Sequence, residues 1–121
     1  MLRPDLQALW LTARPTLTQH WQSCASSGLP HTAVSEAAVA AAFEQFLAAL
    51  STPNLEVPDG ALRAIQALYA RLDVINDEQD GGLLETDERE LLVPIVIDAA
   101  RLVGLDPAAY DGEPGGEFRN F

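Results

Sequence analysis

The chain of 121 residues has no lysine and one cysteine, Cys24. A lone cysteine excludes an intramolecular disulfide, a CxxC redox pair and a cysteine-rich zinc site. A domain of this length buries roughly two-thirds of the surface its unfolded chain exposes, so it needs no such staples. Positive charge is scarce: seven arginines stand against 18 acids, a formal net charge of −11. That balance argues against direct nucleic-acid binding and against an anionic membrane surface. No apolar run exceeds seven residues, the length of Leu91 to Ile97, far short of the roughly 18 a spanning helix needs. Asp5 and Gln7 interrupt the N-terminal apolar residues, so no signal-peptide pattern is present. These absences point to a cytoplasmic, reducing setting. The bias to alanine, leucine and arginine reads as coding bias of a GC-rich, bacterial-type genome.

What is present is apolar enough to fold. At 48% apolar residues the chain is not disordered by composition, and its length suits one domain. Four segments carry helical periodicity. From Pro4 to Ala25, Leu6, Leu9, Trp10, Ala13, Leu17, Trp21 and Cys24 follow an i, i+3, i+4 pattern. Pro15 lies inside it and predicts a kink. From Ala33 to Leu50, capped by Thr32 or Ser35, Val39, Phe43, Phe46, Leu47 and Leu50 make one stripe among alanines. From Asp59, the expected N-cap, to Asn76, Leu62, Ile65, Leu68, Leu72 and Ile75 share a face, flanked by Tyr69. From Thr86, the expected cap, to Val103 the pattern continues around Pro94 and stops at Gly104. A proline argues against reading LLVPIVI as a central strand. The fold class is therefore all-α: four main helices, the first and last kinked, in a bundle-like single domain over residues 1–105. Residues 106–121 form an irregular tail, packed on that domain or extending from it. Trp10 and Trp21 share a face and read as core anchors.

Acidic residues concentrate from Asp73 to Glu90, which holds eight of the 18 acids. An EF-hand needs oxygen ligands at fixed loop positions and glycine at the sixth. Registers starting at Asn76 or Asp77 each meet part of that pattern and neither meets all of it. Carboxylates three or four apart on helices could share a hard cation. Here they flank a loop, and the motifs of the all-α pyrophosphohydrolases are not matched. The best alternative metal set is Asp73, Asp77, Asp80 and Glu88. His20 and Cys24 lie four apart on one helix face, which reads as an inert cysteine beside a partly exposed histidine. His31 falls in a loop, and two histidines eleven apart without an HExxH spacing carry little zinc signal. There is no P-loop, no GxSxG and no dinucleotide fingerprint, so no cofactor is expected.

Two classes of function follow. One is a non-enzymatic binding or regulatory protein whose acidic surface accepts a basic partner. Immunity proteins and antitoxins are of this kind by class analogy only. Its contact residues would be Asp77, Glu78, Asp80, Glu85, Asp87 and Glu88. Phe118 and Phe121 in the tail either join them or dock on their own chain. The other class is a Mg²⁺, Mn²⁺ or Ca²⁺ protein or enzyme using the same carboxylates. Alanine-rich faces would also suit a homodimer.

Overall fold

A computed structural model describes residues 2–121. Four helices make up the chain in order: α1 (Pro4–Ser26), α2 (Ala33–Leu50), α3 (Asp59–Asp77) and α4 (Thr86–Leu102). No strand occurs among the described residues, so the Leu91 to Ile97 run is helix. The α2 and α3 helices pack side by side, and α1 lies against both α2 and α4.

The apolar stripes meet in one core. Leu6, Leu17, Val39, Phe43, Phe46, Leu47, Ile65, Leu68, Leu72 and Val96 are all fully buried. Trp10 stacks on Phe43 with ring centroids 5.8 Å apart and planes 9° from parallel. Trp21 is also buried, so both tryptophans anchor the core. Pro15 and Pro94 lie within continuous helices at exposed positions. There water can satisfy the carbonyl that each missing N–H leaves free.

The α2 helix is long and apolar enough, by length and composition, to cross a membrane, although no uninterrupted run in it suggests this. Its large side chains, from Val39 to Leu50, are buried within the domain. In an alanine-rich helix that is the pattern of a core element.

Three local features differ from the sequence expectation. The N-cap of α3 is Pro58 and that of α4 is Glu85, each one residue before the expected one. In α4 the shift follows from Glu88, whose Oε1 accepts the Glu85 backbone N–H at 3.0 Å and closes the first turn early. Tyr69, expected at the edge of the α3 stripe, is fully buried because the tail covers it. Phe121 meets its ring edge-on at 5.8 Å, and Arg119 donates from Nε to Glu113 Oε1 at 2.7 Å alongside. The tail also forms two short 3-10 turns, Pro107–Tyr110 and Gly116–Phe118. The first begins at Asp106, whose carboxylate accepts the Ala108 N–H.

Candidate metal centre

Three pieces of backbone converge near the start of α4. The first is the last part of α1. Positions four apart share a helix face, so His20 and Cys24 project together, with Cys24 Sγ 3.4 Å from His20 Nε2. The second is the turn into α2. The Thr32 hydroxyl accepts the Ser35 N–H at 3.1 Å and the Ser35 hydroxyl accepts the Thr32 N–H at 2.9 Å, a capping box. Ser35 Oγ also accepts the Trp21 indole N–H at 3.0 Å. This network ties the turn to α1 and sets His31 beneath Trp21, with ring centroids 4.8 Å apart. The third piece is the entry to α4. The buried Asn76 accepts the N–H groups of Leu83 (3.1 Å) and Leu84 (2.8 Å) through Oδ1. Those two leucines bury their side chains, and the chain then delivers Glu88 inward.

The result is one cluster. Glu88 is only 4% exposed. Its Oε2 accepts from His20 Nε2 at 2.6 Å and lies 3.6 Å from His31 Nε2. The ligand atoms of His20, Cys24, His31 and Glu88 all lie within 4.8 Å of one another. Donors around a tetrahedral Zn²⁺ sit about 3.3–3.8 Å apart, from bond lengths of about 2.0–2.3 Å. Two of the observed separations fall close to that range. The short His20–Glu88 contact has to open by less than 1 Å or so to reach it.

His31 is the most telling member. It is 3% exposed, and neither ring nitrogen has a hydrogen-bond partner among the described residues. Leaving a buried polar group unpaired costs about 1–3 kcal/mol. Burial holds this imidazole below the usual histidine range, against the raising effect of the Glu88 and Glu85 charges. Burial thus favours the neutral imidazole, the form a metal ligand needs. The Cys24 thiol is pushed up by burial, then by the charges of Glu88 and Asp87. A bound divalent cation would reverse that balance and draw off the thiol proton.

The residues singled out from sequence are distributed differently. Asp77, Glu78, Asp80, Glu85 and Asp87 are exposed, and none is paired with an arginine among the described residues. Glu88 does not share their surface; it is buried because its carboxylate turns in to the α4 cap and the histidines. Phe118 and Phe121 pack against the protein's own core. The set Asp73, Asp77, Asp80 and Glu88 does not converge: among the described residues the only group of three or more ligand-type side chains is the cluster above. Asp73 instead accepts from Asn120 Nδ2 at 2.7 Å. The calcium-loop register starting at Asn76 does not form either, since Asn76 is committed to backbone N–H groups. The His20–Cys24 spacing was visible in the sequence, and Glu88 stood out as an acid. His31 carried no signal beyond its type. In comparisons with protein-family models, curated proteins and solved structures, nothing matches this chain.

Proposed function

We propose that this protein binds a divalent transition-metal ion of the zinc class through His20, Cys24, His31 and Glu88. The carrying observation is His31, a buried imidazole with both nitrogens unpaired, set among three other ligand-type groups. Two imidazoles, a thiolate and a carboxylate suit Zn²⁺. They do not suit Ca²⁺ or Mg²⁺, which take six or more oxygen ligands. The ion would replace an unpaired buried polar group with a bond, and would tie α1, the α1–α2 turn and α4 together. Titration calorimetry of the reduced protein with Zn²⁺ should give one ion per chain and a higher melting temperature. Co²⁺ should give the visible bands of a tetrahedral site, with a thiolate charge-transfer band that Cys24→Ser removes. Absence of heat and of any thermal shift with Zn²⁺, or binding unchanged in Glu88→Gln and Cys24→Ser, overturns the reading.

A second reading rests on a separate observation, the exposed acids Asp77, Glu78, Asp80, Glu85 and Asp87, none with an arginine partner among the described residues. Such a surface steers towards a basic protein in a cytoplasmic setting and holds it by charge. Neutralising these five residues should abolish capture of that partner. Capture that survives their neutralisation removes them from the interface.

A further inference from the structure

The metal reading leaves open how an ion reaches ligands that are largely buried, and the surroundings of the cluster answer it. A cavity of about 160 Å³ is lined by Cys24, His31, Glu85, Asp87 and Glu88, so three of the four ligands border it. The fourth, His20, borders a neighbouring cleft of about 350 Å³ together with Asp87 and Glu90. Asp87 thus lines both approaches. Glu85, Asp87 and Glu90 are exposed and have no arginine partner among the described residues.

We infer that Glu85, Asp87 and Glu90 form an acidic rim that draws divalent cations from solvent into the His20–Cys24–His31–Glu88 site, making it a fast-loading, exchangeable site. This rests on the metal reading above. The unpartnered His31, which faces the cavity, marks where the approach ends. Charge accounting separates the two roles. Once loaded, the thiolate and the Glu88 carboxylate together offset the two charges of the ion. The rim is not needed for neutrality in the bound state. Its effect falls on the encounter, where carboxylates at the mouth of a low-dielectric cleft raise the local cation concentration and the association rate. A closed structural site has no use for such a rim. His20 keeps 23% of its side chain exposed, which leaves one ligand within reach of solvent. The assignment is to a site that takes up and returns its ion, as metal buffering or sensing requires.

The test is stopped-flow loading of the reduced, metal-free full chain with Zn²⁺, followed by release to a chelator in excess. Removing one rim charge should slow loading about three- to fivefold at low ionic strength, with the difference vanishing at high salt. Asp87→Asn should show the largest effect, with Glu85→Gln and Glu90→Gln following. Asp111→Asn, which changes net charge equally in the tail, should load at the wild-type rate. All should retain one ion per chain. Equal loading rates in the rim variants, or a salt-independent rate, overturn the rim while metal binding stands. Wild-type release that takes hours makes the ion structural and also overturns it. A wild-type chain that binds no Zn²⁺ overturns both readings.

Discussion

Replacing His31 with leucine should move stability in opposite directions depending on whether metal is present. In the metal-free protein His31 is a liability: 3% exposed, with both nitrogens unpaired. Leucine, of similar volume, removes a polar penalty of about 1–3 kcal/mol. Against this stands the loss of the edge-on contact with Trp21 at 4.8 Å, a type of contact that contributes about 0.5–1.5 kcal/mol. The balance runs from about −0.5 to about 2.5 kcal/mol in favour of His31→Leu. For a domain of this size the upper end raises the melting temperature by about 10 °C. With Zn²⁺ at 100 times its dissociation constant, the wild type gains about 2.7 kcal/mol. His31→Leu, lacking a ligand, should gain little. Thermal melts followed by circular dichroism, with chelator and then with Zn²⁺, give all four values. The expected order in chelator is variant at or above wild type, with the wild type alone rising strongly on addition of metal. If the variant loses more than about 1 kcal/mol in chelator, the unpaired-imidazole argument is wrong. If both proteins rise equally with Zn²⁺, His31 is not a ligand.

Other expectations concern how the site and the tail are held. Asn76→Ala strips the buried Leu83 and Leu84 N–H groups of their acceptor. It should cost about 2–4 kcal/mol in urea unfolding and weaken Zn²⁺ binding, because the entry to α4 loosens. Unchanged stability means water replaces the amide. At Gly115 (φ +75°) an added Cβ would come within 2.5 Å of Ile65 Cγ2. Gly115→Ala should therefore cost about 1–3 kcal/mol and increase proteolysis of the tail; resistance equal to wild type means the tail docking is not fixed there. Burial, and then the Glu113 charge, raise the Tyr69 phenol well above its ordinary value. Its folded form keeps the proton while the unfolded chain loses it, so this contribution is complete below about pH 10 and falls as pH rises above it. Tyr69→Phe should flatten the drop in urea midpoint above pH 10, at a cost of at most about 1 kcal/mol at neutral pH for its long 3.5 Å bond to Glu113. An identical alkaline profile assigns the drop to other groups.

Much of the fold was written in local periodicity. The stripes Leu6–Trp10–Leu17–Trp21 and Val39–Phe43–Phe46–Leu47–Leu50 are buried as the helical spacing requires. They are legible because burying an amphipathic face depends mainly on the helix's own repeat. Thr32 announced its helix through residue type alone. One departure occurred where a distant segment intervened: Tyr69 is buried by the tail. The α4 cap shift is local, set by the Glu88 carboxylate three residues on.

The sequence by itself determined four helices, their inward faces, one uncrosslinked domain and a dense acidic stretch. These follow from composition and from spacings of three or four residues, which act within a single helix turn. Only the tertiary structure decided that the acidic stretch divides, with Asp77, Glu78, Asp80, Glu85 and Asp87 facing solvent and Glu88 turned inside. Only it decided that Glu88 meets His20, 68 residues away, and that the loop residue His31 is buried among them without a partner. Ligand geometry is a relation between separate segments, fixed by how α1 packs on α4. No local pattern encodes that packing.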